Sequence, residues 1–242
     1  MRRGKYSRHR LAGPHDRDVA YDATLRAAAV RVGRRGGALT VEPADLRRKV
    51  REHRVPLDVC FVVDNSYSLQ ADRLVEQVKG LVFRLLEDAA ARGDRVALVA
   101  FRSGIAEATV ALRPTSSLRR AAEALRRIPL SGRTPLPDAL VRAGRVLRQE
   151  RYRRPNARPV VVVVSDGLPN VALRRGRDPV RDTLAEARTL RRAGIGCVVV
   201  DASPPGRSAS CGRDLAEAGG GRWLPIAELS PDVFVDAVLT VA

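Results

Sequence analysis

Aromatic residues are scarce: four Phe, four Tyr and one Trp make up 4% of 242 residues. With 45% of the chain apolar, a core of useful size must be aliphatic, built from Val, Leu, Ala and Ile. A chain of this length suits one large α/β domain or one domain with an appendage. Cysteine is limited to Cys60, Cys197 and Cys211, an odd number without a CxxC pair, which argues against a disulfide framework and a dithiol redox site. Cys60 and Cys197 sit in apolar strand-like runs and read as small buried hydrophobes. Cys211, in a Ser/Gly-rich loop, reads as exposed, with no histidine nearby to activate it.

Histidine is confined to His9, His15 and His53. A Ser–His–Asp triad therefore has no base outside the N-terminal segment. GxxxxGK[ST], HExxH and GxSxG are all missing, which removes the P-loop and the common hydrolase signatures. The GGG at 219–221 precedes a short strand, the wrong context for a dinucleotide. No enzymatic activity of the chain's own is expected. No stretch approaches the roughly 20 apolar residues that span a bilayer. The basic start MRRGKYSRHR lacks the apolar segment of a secretory signal, so cytoplasmic residence is the expectation.

Charge is the abundant quantity. The formal net charge is +17, and arginine carries nearly all of the positive side, since only Lys5, Lys49 and Lys79 are lysines. Residues 1–55 hold 15 Lys/Arg against 6 Asp/Glu, a net +9, which leaves +8 for the other 187 residues. Clustered arginine attracts polyanions, but no aromatic–basic interleaving and no helix-turn-helix pattern accompanies it. An acidic protein partner fits this surface better than nucleic acid does.

Along the chain, residues 1–17 read as an irregular basic arm. A helix follows from Asp18, with Val19, Leu25 and an alanine run on helical spacing, until GRRGG at 33–37 breaks it. Leu39–Glu42 has the look of a short strand. Residues 1–55 read as an extension lying on a main domain formed by residues 56–242. In that domain strands and helices alternate. Strand Leu57–Val63 is followed by helix Leu69–Ala91, strand Arg95–Phe101 and an antiparallel edge strand Ile105–Leu112. Next come helices Ser117–Arg127 and Pro135–Glu150, strand Pro159–Val164, helix Pro179–Ala193 and strand Ile195–Asp201. Helix Gly212–Ala218, strand Arg222–Pro225 and helix Pro231–Val241 close the domain. Crossover helices imply a doubly wound, mostly parallel sheet with one antiparallel edge strand and helices on both faces.

The two most apolar strands each end in an aspartate, Asp64 and Asp166. Central strands that flank a switch point place the loops after them around one crevice. Asp64 opens an Asp-x-Ser-x-Ser pattern with Ser66 and Ser68. The loop Ser131-Gly132-Arg133-Thr134-Pro135-Leu136 supplies a further hydroxyl, Thr134, just before a helix. Alone, each piece also reads as ordinary turn chemistry: an Asp/Ser cap for the following helix, and a Ser-Asp-Gly turn. Together the five, Asp64, Ser66, Ser68, Thr134 and Asp166, form an all-oxygen donor set. Such a set favours Mg²⁺, Mn²⁺ or Ca²⁺ over zinc. Two carboxylates balance the ion, which lets a partner's carboxylate complete its shell.

These residues, in this order, resemble the metal-ion-dependent adhesion site of von Willebrand factor A (VWA) domains. Within that superfamily the chain is similar to the C-terminal part of the D subunit of magnesium chelatase. The likeness extends to DVAYDATLRAAA, RPTSSLRRAAEAL, SGRTPLPDAL and AEAGGGRWLPI. The resemblance implies a non-catalytic subunit that couples an AAA+ ATPase ring to a large chelatase subunit inserting Mg²⁺ into protoporphyrin IX, or a cobalt counterpart. It also implies that Ser66, Ser68 and Thr134 bind the ion directly, and Asp64 and Asp166 directly or through water. Tyr67 and Leu69 replace the Gly and Met usual in the family. Tyr67 would crowd the site's mouth and, with Arg133, would face the partner. The family's ATPase-like half has no counterpart in these residues, so either the ATPase is a separate polypeptide or the chain is a fragment.

Three rival readings remain at this level. One is a VWA partner of a MoxR-type AAA+ chaperone. Another is a basic nucleic-acid-binding protein. The third is a metal-dependent phosphohydrolase, which lacks a general base near the aspartates.

Overall fold

All seven residues of Leu57–Val63 are buried. Leu57, Val59, Phe61 and Val63 enter one apolar cluster, while Cys60 and Val62 enter another. Successive side chains point to opposite sides of a strand, so this run must be covered on both faces. The computed structural model describes residues 5–13, 16–36, 38–52, 55–64, 80, 84, 93–101, 107–128, 132–203 and 210–242. The chain divides into two compact units, Met1–Arg54 and Val55–Ala242.

In the larger unit a six-stranded sheet has the order β5-β4-β3-β6-β7-β8. The strands are β3 (Leu57–Val63), β4 (Arg95–Phe101), β5 (Ala108–Thr115), β6 (Arg158–Ser165), β7 (Gly196–Asp201) and β8 (Arg222–Pro225). Only β5 runs antiparallel, against β4; the pairs β3–β4, β3–β6, β6–β7 and β7–β8 are parallel. The chain leaves β3 toward β4 and later returns on its other side as β6. The switch point therefore lies between β3 and β6.

One face carries helices α2 (Leu118–Arg126) and α6 (Pro231–Val241), with Leu125, Phe234 and Val238 in the same cluster as Phe61. The other carries α3 (Leu136–Arg153), α4 (Pro179–Arg192) and α5 (Gly212–Gly219), with Leu140, Leu147, Leu190 and Leu215 around Val62. This is the doubly wound sheet with one antiparallel edge that the alternation of elements implies. Helix starts follow capping chemistry. Ser117 caps α2 through the Arg120 amide, Asp178 caps α4 through Val180, and Ser230 caps α6 through Val233. The expected helix Leu69–Ala91 lies outside the described residues, except that Gly80 and Arg84 are helical.

The smaller unit departs from expectation in two places. Residues 5–11 are not part of an irregular arm, because β1 (Lys5–Leu11) pairs antiparallel with β2 (Arg47–Glu52). The register sets Arg10 opposite Arg48 and His9 opposite Lys49, so no apolar alternation announces either strand. Leu39–Glu42 is not a strand either. Glu42 and Asp45 form a reciprocal capping box around the 3₁₀ turn Pro43–Asp45, which ends extended pairing there. Helix α1 (Tyr21–Arg35) buries Ala23, Thr24 and Ala28. The Thr24 hydroxyl accepts the Arg47 amide at 2.9 Å. Arg31 bonds Asp45 at 3.0 Å, and this contact holds the Asp45 carboxyl below the usual carboxylate range.

Cys211 also corrects the sequence reading, being buried at 5% exposure where an exposed thiol was expected. Three glycines at 219–221 have a packing role: Gly220 takes the left-handed conformation that ends α5, and a side chain at Gly221 would run into the Cys197 carbonyl. Among the described residues no helix is long and apolar enough to cross a membrane.

Candidate functional site

Parallel pairing brings the two strand-ending aspartates to one place. Val63 is opposite Val164, so Asp64 comes level with Ser165 as both chains leave the sheet. The Asp64 amide donates to the Val164 carbonyl at 2.8 Å, and the Ser165 hydroxyl donates to Asp64 Oδ2 at 2.7 Å. Ser165 Oγ in turn accepts the Gly167 amide at 3.1 Å, and Asp166 Oδ1 accepts the Leu168 amide at 3.1 Å. Asp64, Ser165 and Asp166 are each at most 2% exposed. Burying charge this deeply is costly unless hydrogen bonds or a cation compensate.

Thr134 joins the same corner through its backbone. Its amide donates to Asn170 Oδ1 at 2.8 Å, and its carbonyl accepts the Asn170 amide at 3.2 Å. This reciprocal pair ties the start of α3 to the loop that follows β6. Thr134 is buried and Arg133 exposed. In the first turn of α3 Asp138 accepts the Ala108 amide at 2.7 Å, which links that helix start to β5.

A third aspartate closes the corner on the β7 side. Asp201 accepts the Trp223 indole at 3.0 Å, the Ser210 hydroxyl at 3.1 Å and the Ser203 amide at 2.9 Å. The Gly167 carbonyl accepts the Cys211 amide at 2.9 Å. Gly167 has φ +68°, and a side chain there would collide with Ser210 and the backbone before α5. Glycine is required at that turn for both reasons.

Of the five predicted ligands, Asp64 and Asp166 lie at the carboxyl ends of the central strands, and Thr134 is tied by its backbone to Asn170 in the loop that carries Asp166. Ser66 and Ser68, together with Tyr67, lie outside the described residues. Ser165 and Asn170 escaped the sequence reading as site residues, though both stand in the SDGLPN stretch that carries Asp166. Asp201 ends an apolar strand just as Asp64 and Asp166 do, a signal available but unused. Among the described residues no three His, Cys, Asp or Glu side chains converge on one point. A cation here would depend on hydroxyl oxygens beside the carboxylates. Such a set, with neither thiolate nor imidazole, suits a hard divalent ion.

A doubly wound, mostly parallel sheet with one antiparallel edge strand and helices on both faces defines a Rossmann-like α/β domain. Comparison with known proteins makes the class specific: the von Willebrand factor type A domain profile matches residues 59–168, and an AAPxQ domain profile matches residues 3–51. The chain belongs to the von Willebrand factor type A family. It is 37% identical over 220 residues to an uncharacterized protein of Mycobacterium tuberculosis, covering 91% of this chain and 34% of that one. It is 31% identical over 167 residues to an uncharacterized protein of Methanocaldococcus jannaschii, covering 69% of this chain and 94% of that one. It is 37% identical over 187 residues to the magnesium-chelatase 60 kDa subunit of Cereibacter sphaeroides, covering 74% of this chain and 33% of that one. The chain thus spans about a third of the mycobacterial and chelatase relatives. In fold it matches the VWA domain of SpRpn10 with a TM-score of 0.55 at 14% identity, over 75% of this chain and 95% of that one.

Proposed function

We propose that this chain is a non-catalytic adaptor whose oxygen-lined corner holds Mg²⁺ and captures an acidic residue of a protein partner. Asp64, Ser66, Ser68, Thr134 and Asp166 would hold the ion. The bound ion would supply an open coordination position for a carboxylate. The observation that carries the reading is that Asp64 and Ser165–Asp166 meet at the switch point, with Thr134 linked to the same loop through Asn170. Ser165 and Asn170 orient these residues, and second-layer hydrogen bonds of this kind tune ligand position and affinity.

Similarity to magnesium-chelatase 60 and 67 kDa subunits supports placing the adaptor in an ATP-driven chelatase assembly. Its partners there would be an AAA+ ATPase subunit and the large subunit that receives the metal. Residues 1–55 would serve as a basic extension of the domain of residues 56–242. Tyr67 and Arg133 would face the partner.

Calorimetric titration of Mg²⁺ into the full chain, and into Asp64→Asn and Asp64→Ala, tests the ligand assignment. Asp64→Asn retains an acceptor for Ser165, so it should remain folded by circular dichroism while losing Mg²⁺ binding. Unchanged Mg²⁺ affinity in a folded Asp64→Asn would refute it.

A further inference from the structure

The edge of the sheet farthest from β8 carries a second feature, separate from the aspartate corner. Between β5 and α2 lies an open cavity of about 390 Å³. Its floor is apolar, with Leu112, Ala124 and Ile128 only half-buried. Arg120 and Arg127 stand on its rim beside Glu123. Arg113, Arg119 and Arg126 are exposed on the same two elements. From residue 108 to residue 128 there are five arginines and one acidic residue. Among the described residues none of these five guanidinium groups has an ion-pair partner, although Arg31, Arg95, Arg142 and Arg154 elsewhere in the chain are all paired. As the terminal strand of the sheet, β5 hydrogen-bonds only to β4.

We infer that this groove is a docking site for an acidic protein segment that carries leucine-sized apolar anchors. The anchors would fill the floor over Leu112, Ala124 and Ile128, and the segment's carboxylates would meet the arginines of the rim. A simple polyanion would match the charge but leave the apolar floor exposed to water; a purely apolar segment would leave Arg120 and Arg127 at the groove without counter-charges. The combination selects an amphipathic acidic peptide, and charge complementarity of this sort supplies specificity and encounter rate. Nothing in the groove involves a metal ligand, so capture here does not require Mg²⁺.

The test is fluorescence anisotropy with a labelled short acidic peptide bearing leucines at helical spacing, run on the full chain at near-physiological salt. Binding should weaken by about tenfold or more in the exposed double variant Arg120→Glu/Arg127→Glu, with the fold verified by circular dichroism. It should fall similarly when serines replace the peptide's leucines, and it should persist in chelator. Absence of peptide binding, or binding indifferent to either change, would overturn the assignment. Equal capture of single-stranded DNA of matched charge would make the surface a general polyanion site and overturn it too. Loss of binding in chelator would move capture to the metal corner. Loss of Mg²⁺ binding in Asp64→Asn with intact peptide binding would separate the two sites.

Discussion

The hydroxyl of Ser165 lies 2.7 Å from Asp64 Oδ2 and joins the carboxyl ends of two adjacent parallel strands. Asp64 is fully buried, so this bond fixes which way its carboxylate faces. Removing the hydroxyl in Ser165→Ala leaves a buried charged group short of a donor. A hydrogen bond to a charged group contributes about 1.5–3 kcal/mol, and stability in urea should fall by about that amount. Mg²⁺ affinity should also drop, by about tenfold or more, as when a metal ligand loses its orienting partner. A Ser165→Ala protein as stable as the parent in urea would show that the bond does not hold the corner together.

Asn170 plays the matching part for Thr134. Asn170→Ala deletes the acceptor of the Thr134 amide and frees the start of α3 from the β6 loop. The stability loss should be near that of one neutral hydrogen bond, about 1 kcal/mol. The Mg²⁺ effect should be larger in proportion, because Thr134 is the one proposed ligand contributed by that loop. Calorimetry beside urea unfolding separates the two quantities. Equal affinity in the parent and the variant would remove Thr134 from the ligand set.

Gly167 is the position least tolerant of a side chain in the corner. Its φ of +68° disfavours any L-residue, and a β-carbon would strike Ser210. Gly167→Ala should therefore cost about 2 kcal/mol or more. The chain's single tryptophan, Trp223, reports the damage, since its indole bonds Asp201 in the same corner and Arg213 lies 4.6 Å above its ring. Its emission should shift toward that of a solvated indole in the variant before global unfolding. Unshifted emission with parental stability would count against this account of the turn.

Legibility of these features from sequence follows the physics of each element. Strands buried on both faces must be continuous apolar runs, so Leu57–Val63 and Arg95–Phe101 are found with the bounds the pattern predicts. The ribbon of β1 and β2 leaves no such trace, because its facing residues are charged and its register comes from backbone bonds. The edge strand is displaced from Ile105–Leu112 to Ala108–Thr115, since a half-exposed strand has a weaker pattern and Pro114 is admissible on an edge. That Asp64 and Asp166 follow the two central strands is legible because an apolar run that stops at a carboxylate is conspicuous in the sequence. Ser165 and Asn170 act on neighbours 101 and 36 residues away, and only the register of the sheet reveals those partners.

Cysteine reactivity tests the burial of Cys211. Burial pushes the thiols of Cys60 and Cys197 up to about 12 and that of Cys211 up to about 11. The thiolate is the reactive form, so Ellman's reagent at mildly alkaline pH should label none of the three in the native protein. All three should react in strong denaturant. Prompt labelling of one thiol in the native state would indicate that the Cys211 end of α5 opens readily.

The opposite end of β3 sets a pH dependence. Asp58 is 3% exposed and pairs with Arg154, with Glu150, Arg95 and Asp94 nearby. Burial pushes its carboxyl up from 3.8 to about 6, a rise that the Arg154 charge only partly offsets. A raised carboxyl means that the folded state binds the proton more tightly than the unfolded chain does. The associated stability is fully present below about 3.8 and is lost as pH rises through about 6. The slope for one proton is at most about 1.4 kcal/mol per pH unit. Asp58→Asn removes the titration, so the stability of the parent relative to this variant should decline between pH 4 and 6.5 and then level off. Urea unfolding of both proteins across that range measures the difference directly. A difference that stays flat, or that rises with pH, would mean that Arg154 outweighs burial and holds Asp58 ionised throughout.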